Sequence, residues 1–484
     1  MKKSVTKNYI YNLLYQMLVL ILPLITTPYV SRVLGAENIG IYSYTISISA
    51  FFILFGSIGI ALYGQREIAY LQENSLKRSK IFWEIVIFRC VTMAISLIIF
   101  YFTFAIGNNG YNLYYKILII EFIANTLDIS CFFQGLEEFK KTVGRNTLVK
   151  IISIICIFTL VKTKEDLPIY FIIYVLSILI GNLSLWLYMP KYLQKVNFKE
   201  LNILRHLKPT VSLFIPQIAI QVYTLLDKTM IGTIISDKSE VGYYEQANKI
   251  IKMLLTIITS LGTVMMPRIA NTFVKGNKEK ITNYMKKSFN MVFIFAFPLM
   301  FGIIAVSKAF VPVFFGQGYD KVAILMNVIS PIILLIGLSN VTGTQYLLPT
   351  KRQKEFAISV ICGAVVNFIM NMCLIWKFGT IGASIGTVIA ELTVTLVQMY
   401  FVRKDFDFKE IIGLTKNYFI SSLLMFIVCL IIRKIIKDNL LSIIVQCIVG
   451  GLTYGIVLIL LKDSFVCEIL NKLKSKIKGG LKHE

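Results

Sequence analysis

Amide, hydroxyl and charged side chains recur at helical spacing inside apolar stretches of this chain. In the seventh such stretch, Gln217, Gln221, Thr224 and Lys228 share one face of a helix, and Asp227 flanks that face. Charged groups inside apolar segments are costly to bury, so they usually face an interior or a water-filled cavity. A face that carries an ammonium group beside amides can hold an anionic ligand through charge-assisted hydrogen bonds.

The basic side chains of several apolar stretches extend this candidate set. Glu245 and Lys249 are four residues apart in the eighth stretch, and Lys252 continues their face. The candidates for anion binding are Arg32, Arg89, Lys228, Lys249 and Lys252, with Gln217, Gln221 and Thr224 as the polar lining. The alternative is that these residues form interhelical pairs that hold a bundle together, each contributing about 0.6 kcal/mol.

Two acidic residues could carry a coupling ion. Asp227 lies next to Lys228, and Glu391 lies near the middle of the twelfth stretch, between Thr387 and Thr395 at four-residue steps. A carboxyl group in surroundings of low dielectric can take up and release a proton, and carboxylates also bind sodium. We therefore predict that Asp227 and Glu391 bind H⁺ or Na⁺.

These residues are positioned by an unusually apolar chain. It is 56% hydrophobic and 16% charged, where soluble proteins carry about a quarter charged residues, and its mean hydropathy is +0.72. About fourteen stretches approach or exceed the roughly 17–25 residues that cross a membrane as a helix. They lie near 9–34, 39–64, 81–106, 112–134, 146–162, 167–190, 211–235, 243–268, 286–310, 322–348, 355–376, 381–402, 416–434 and 439–462. The predicted fold is an all-α polytopic membrane protein; a β-barrel is excluded because its strands alternate in polarity over about 10 residues.

The net charge of +24 does not indicate nucleic acid, because the basic residues are concentrated on one side of the predicted spans. The most basic segments, 191–208, 268–287 and 462–484, all fall on the side of the N-terminus. By the positive-inside rule this side is cytoplasmic, which predicts a bacterial inner-membrane protein with both termini inside. Such loops also attract anionic lipid.

A short internal repeat predicts two related halves. Segment 34–42, LGAENIGIY, resembles 236–244, SDKSEVGYY, and the offset of 202 residues also pairs Arg66 with Arg268. Six spans separate the copies, so both would enter the membrane in the same direction. We predict a six-helix lobe over 1–208, a second over 209–410, and two added helices with a basic tail over 411–484.

The sequence lacks the residues that several kinds of catalytic or metal site would require. Two histidines and eight scattered cysteines without CxxC spacing argue against a zinc site or a histidine-based triad. The chain has no GxxxxGK[ST] phosphate loop, and its predicted outer loops are too short for a membrane glycan polymerase. We therefore expect a secondary transporter rather than an enzyme, without cofactor or metal.

The ordered motifs of the chain resemble the polysaccharide-synthesis flippases of the multidrug/oligosaccharidyl-lipid/polysaccharide exporter superfamily. The resemblance is carried by NYIYNLLYQMLVLILPLITTPYVSRVLGAENIGIYSY (8–44), VYTLLDKTMIG (222–232), VGYYEQANKI (241–250), LLPTKRQKE (347–355) and FGTIGASIGTVIAE (378–391). It implies translocation of undecaprenyl-pyrophosphate-linked oligosaccharides for capsule or O-antigen synthesis. It also implies membrane lipid, a polysaccharide polymerase and chain-length machinery as partners, and it assigns no residue-level site.

Two siblings within this superfamily remain open alternatives. An ion-coupled drug antiporter would be expected to have an acidic, aromatic cavity, whereas the charges within these spans are largely basic. A flippase for the peptidoglycan lipid precursor would differ in its substrate and not in its number of spans.

Overall fold

The computed structural model describes residues 5–107, 110–437, 439–463 and 465–467, and these contain helices and no β-strand. Side chains are described from residue 22 onward, except for 139–140, 212–213, 215–217, 219–220, 222–223, 261 and 263–264. The helices are α1 (Val5–Ser57), α2 (Ile60–Tyr70), α3 (Ser75–Phe100), α4 (Asn112–Thr126), α5 (Ser130–Gly135), α6 (Phe139–Leu160), α7 (Leu167–Trp186), α8 (Leu207–Ile234), α9 (Ser239–Val274), α10 (Lys278–Phe315), α11 (Asp320–Ile329), α12 (Ile332–Ser339), α13 (Gln353–Val402), α14 (Phe408–Ile435) and α15 (Leu440–Leu460).

The two longest helices, α1 and α13, are each divided by a glycine. Gly35 in α1 has φ 77° and ψ 169°, and Gly379 in α13 has φ 59° and ψ −136°. Both conformations are accessible to glycine and strained for other residues. By length and composition, 11 helical segments of the described chain could cross a membrane. When the halves of α1 and α13 and helix α8 are counted separately, each of the fourteen predicted spans coincides with helix, which confirms the predicted fold class.

The burial pattern is that of a protein surrounded by lipid. On α15, Ile444, Ile448, Leu452 and Ile456 form an exposed stripe at four-residue steps. The interior holds many polar side chains, and the buried carboxylate of Glu84 is 0% exposed. Because apolar groups lose nothing by facing lipid, the exposed surface is apolar and the polar groups are turned inward.

The described chain forms two compact units, Met1–Gly242 and Tyr243–Glu484. In the first unit α4 packs on α7, α1 packs on α3 and α8, and α2 packs on α5. In the second unit α14 and α15 pack on α10 and on each other, with Met425 and Cys429 buried against Ala305. The predicted lobe boundaries at 208 and 410 stay predictions.

The two copies of the short repeat approach each other within the first unit. A Cβ added at Gly40 would lie 1.7 Å from the Lys238 carbonyl oxygen, and one at Gly242 would lie 2.1 Å from the Ala36 carbonyl oxygen. Lys238 is the counterpart of Ala36 in the repeat and Gly242 is the counterpart of Gly40, each 202 residues later. The glycine of each copy therefore faces the equivalent carbonyl group of the other copy. Segments 36–40 and 238–242 therefore approach each other through backbone at both glycines.

Candidate functional site

Helix α8 carries the largest group of candidate residues and is fastened to the second half of α1. The hydroxyl groups of Ser47 and Thr229 lie 2.9 Å apart, and Tyr44 Oη lies 3.4 Å from Thr233 Oγ1. Tyr44 also packs directly over Gly232, where a Cβ would lie 2.1 Å from its ring. These contacts fix the rotation of α8 about its own axis.

This rotation distributes the polar residues of α8 between buried and accessible positions. Asp227 is 4% exposed and, two residues before Thr229, points about 200° away from the face that contacts α1. Lys228 and Thr224 are half-buried, and Gln221 is exposed. The side chain of the fourth predicted member of the polar face, Gln217, lies outside the described residues.

The two arginine candidates have different surroundings in the first unit. Arg32 is exposed on α1, three residues before the break at Gly35. Arg89 is buried on α3, where its guanidinium donates to the Asp128 carbonyl oxygen and lies 3.9 Å from the Asp128 carboxylate. The contacts of Arg89 are those of an interhelical pair, the alternative interpretation of these charges.

In the second unit the polar stripe of α13 is buried. Glu391 is 4% exposed, with Thr387 one turn before it and Thr395 one turn after it. The Thr387 hydroxyl lies 2.9 Å from Tyr244 Oη on α9, and the Thr395 hydroxyl donates to the Leu335 carbonyl oxygen at 3.0 Å. The three residues therefore share one face of α13, as their spacing predicts, and this face contacts α9 and α12.

The lysine candidates of α9 are more accessible than Glu391. Lys249 is half-buried and Lys252 is exposed, and both follow Tyr244 on the same helix. The candidates of α8 belong to the first unit, and those of α9 and α13 belong to the second. The first group combines accessible side chains with the buried Asp227 on one helix, and the second combines the lysines of α9 with the buried Glu391 of α13.

Two separate sets of buried amide hydrogen bonds in the second unit were missed by sequence reasoning. The Gln398 amide donates to Ser359 Oγ at 3.1 Å and accepts from Thr342 at 2.7 Å, while the Asn371 amide donates to Asn367 Oδ1 at 3.2 Å. The four-residue spacing of Asn367 and Asn371 was a signal in the sequence. Such networks stabilise one arrangement of helices because unpaired amides are costly to bury.

A second missed cluster lies where the connection between α7 and α8 meets α2 and α3. His206 Nε2 lies 2.9 Å from Glu84 Oε2, and its Nδ1 lies 2.7 Å from Tyr63 Oη. Glu84 also accepts from the backbone N–H of Asn202 at 2.8 Å and from the Arg205 guanidinium. Burial lowers the pKa of the His206 imidazole, and the hydrogen bond to Glu84 opposes this effect only in part.

The fold and these clusters define a polytopic helical membrane protein with a polar interior, the construction expected of a membrane transporter. The polysaccharide biosynthesis protein family matches residues 5–273, and the lipid II flippase MurJ family matches residues 145–451. The chain belongs to the polysaccharide biosynthesis protein family.

Known proteins resemble the chain over most of its length. An Escherichia coli K12 protein named "Putative O-antigen transporter" is 29% identical over 84% of this chain and 98% of its own. A solved structure of lipid II flippase MurJ in an inward closed conformation has a TM-score of 0.77 at 18% identity, covering 96% of this chain and 100% of that one. An inward-facing multidrug resistance MATE family transporter has a TM-score of 0.56 at 14% identity, covering 79% and 93% of the two chains. At these identities the two structures establish the fold.

Proposed function

We propose that the protein is a flippase that moves polyprenyl-pyrophosphate-linked oligosaccharide units across the bacterial cytoplasmic membrane by alternating access. The observation that carries this proposal is the polar face of α8 in a chain of the polysaccharide biosynthesis family. On that face Lys228 is half-buried and Gln221 is exposed. The relative named for O-antigen transport supports the same class of substrate.

The chemistry of such a substrate matches the candidate side chains. The pyrophosphate requires cations, which Arg32, Lys228, Lys249 and Lys252 supply, and the sugar hydroxyls require amide and hydroxyl partners. We leave Arg89 out of this set because its side chain is buried, whereas Lys228 and Lys249 are half-buried and Arg32 and Lys252 are exposed. The polyprenyl tail stays in the bilayer, against apolar helix faces such as the exposed stripe of α15.

The energy for transport comes from an ion gradient, the membrane potential or consumption of the product on the outer face. Asp227 and Glu391 are the proposed coupling groups, because both are carboxyl groups within membrane helices and each is 4% exposed. Both termini are proposed to be cytoplasmic, from the excess of basic residues on that side. A polysaccharide polymerase with its chain-length machinery would take over the translocated unit.

The match to the MurJ family over 145–451 favours a second candidate substrate, the lipid-linked precursor of peptidoglycan. Both substrates combine a polyprenyl tail, a pyrophosphate and a glycan, so the same cationic groups would serve. A cationic drug is the less favoured substrate, since the anion-binding candidates Lys228, Lys249 and Lys252 are accessible or partly accessible cations on α8 and α9.

The experiment that tests this function locates lipid-linked glycans in a deletion strain. Polyprenyl-linked oligosaccharides are extracted after intact spheroplasts have been treated with a membrane-impermeant glycan-modifying reagent. We expect complete units to accumulate in protected form, and the wild-type gene to restore their modification. Unchanged amounts of modified units in the deletion strain would contradict the flippase function for this glycan, and peptidoglycan precursors and drug efflux would be assayed next.

A further inference from the structure

Glu121 on α4 is a buried carboxyl group that the proposed mechanism does not use. It is 5% exposed and its neighbours Phe122 and Leu118 are each 0% exposed. Tyr174 on α7 donates to Glu121 Oε1 at 2.8 Å, and Ser49 Oγ on α1 lies 3.0 Å from Glu121 Oε2. Three helices of the first unit therefore meet at this group.

Glu121 makes no ion pair with a described Lys, Arg or His residue, in contrast to Glu84. Glu84 is also buried, but the Arg205 guanidinium and His206 lie against it. The cation nearest to Glu121 along α4 is Lys116, which is exposed and precedes it by five residues. An ionised carboxylate buried without a cation costs several kcal/mol, and such a group usually becomes neutral instead.

Several charged and titratable groups on the surrounding helices contact one another rather than Glu121. Arg89 on α3 is paired with Asp128 beyond the end of α4, seven residues from Glu121, or about 10 Å along a helix. The rings of Tyr42 on α1 and Tyr170 on α7 contact each other, with centroids 4.7 Å apart, and Tyr42 also contacts Tyr174. Among the described residues, the ionisable side chains in contact with Glu121 or with its partner Tyr174 are tyrosines.

The hydroxyl group of Ser49 lies between two oxygen atoms, one of them on Glu121. Ser49 Oγ is 3.0 Å from the Ile46 carbonyl oxygen and 3.0 Å from Glu121 Oε2. A serine hydroxyl has one proton to donate, and a carbonyl oxygen can only accept. That one proton can be shared between the two oxygens in a three-centre hydrogen bond. If Glu121 Oε2 carries a proton and donates it to Ser49, each contact is instead a separate two-centre hydrogen bond.

We propose that Glu121 is a proton-binding site within the membrane-spanning part of the first unit and is protonated in this conformation. In that state the hydrogen bonds run in one direction, from Tyr174 to Glu121 Oε1, from Glu121 Oε2 to Ser49, and from Ser49 to the Ile46 carbonyl. Loss of the proton leaves a buried negative charge and breaks one of the three bonds. The site is separate from Asp227 and Glu391 and does not depend on the proposed substrate.

Infrared difference spectroscopy of the purified full-length protein in lipid nanodiscs tests this site. At neutral pH we expect a carboxylic acid C=O band that disappears at alkaline pH and is missing in Glu121→Gln. Glu73→Gln is the matched control, because Glu73 is exposed and the chemical change is the same. Identical spectra for wild type and Glu121→Gln would overturn the proposal.

A second variant retains the carboxyl group and changes only its environment. Tyr174→Phe removes the hydrogen bond to Glu121 Oε1, so we expect the C=O band to move to a higher frequency and keep its intensity. A C=O band that does not move in Tyr174→Phe would overturn the assignment. Loss of the C=O band of the wild-type protein when K⁺ is replaced by Na⁺ would also overturn it, because that result would indicate a sodium site. The readout requires no flippase activity, so failure of this site and failure of the proposed function are distinguishable.

Discussion

Alanine at Gly40 or Gly242 would place a methyl carbon where the backbone of the opposite segment already lies. The added Cβ would be 1.7 Å from the Lys238 carbonyl oxygen or 2.1 Å from the Ala36 carbonyl oxygen, whereas Cβ atoms essentially never come within 3.0 Å of other heavy atoms. The differences require the segments to part by about 1.3 Å at Gly40 and about 0.9 Å at Gly242. Backbone atoms cannot turn aside as a flexible side chain can.

The magnitude follows from two opposing effects. Overpacking costs about 1–3 kcal/mol, or more where nothing can yield, and both glycines are opposed by backbone. Alanine regains up to about 1 kcal/mol over glycine inside a helix. We expect a net loss of about 2 kcal/mol, which lowers the population of the conformation with this contact roughly 30-fold.

Thermal unfolding of the purified protein, together with export in cells, measures this effect. Gly455→Ala is the matched control, because Gly455 is also helical and an added Cβ there meets nothing within 4 Å. We expect Gly40→Ala and Gly242→Ala to lower the unfolding temperature and impair export, and Gly455→Ala to do neither. Because both substitutions part the same two segments, the double variant should lose less stability than the sum of the single losses.

The reasoning would be refuted if Gly242→Ala matched Gly455→Ala in unfolding temperature and in export. Purely additive losses in the double variant would show that the two glycines do not share one contact.

Three further predictions concern charged groups. Lys228→Ala or Lys249→Ala should abolish translocation, measured by surface glycan, because each removes a cation for pyrophosphate, while membrane insertion stays normal. Lys308→Ala, at an exposed lysine, is the control. Normal export in both variants would exclude the cationic site. Asp227→Asn should change the dependence of export on ion gradients, because the amide cannot exchange a proton, and an unchanged response to dissipated proton and sodium gradients would remove Asp227 as a coupling group. The lowered pKa of His206 means that the unfolded state binds more protons, so unfolding temperature should fall as pH drops below about 6.5. His206→Gln should weaken that dependence, and an equally steep pH profile in the variant would contradict this role.

Sequence reasoning succeeded where the signal is local. The fourteen spans could be predicted because about 17–25 apolar residues must form a continuous helix to cross a membrane, whatever their neighbours are. The four-residue steps of Thr387, Glu391 and Thr395 correctly placed them on one face of α13. The fold class thus followed from hydropathy and helical periodicity.

Pairing between helices could not be predicted in this way. Arg89 and Lys228 are both cations within apolar stretches, but Arg89 is buried near Asp128 and Lys228 lies on a partly accessible face. Glu84 and His206 are 122 residues apart and form one buried cluster. Nothing in the sequence near either residue indicates the other.

The sequence alone determined that this chain is a polytopic helical membrane protein with polar faces on particular helices, because span length and helical spacing are properties of each segment. Only the tertiary structure decided which polar groups are satisfied and by what. The Ser49 hydroxyl shared between Ile46 and Glu121 is the clearest example. Lateral packing in lipid depends on shape and hydrogen bonds between distant segments, so the proton assigned to Glu121 could be inferred only after α1, α4 and α7 had been placed side by side.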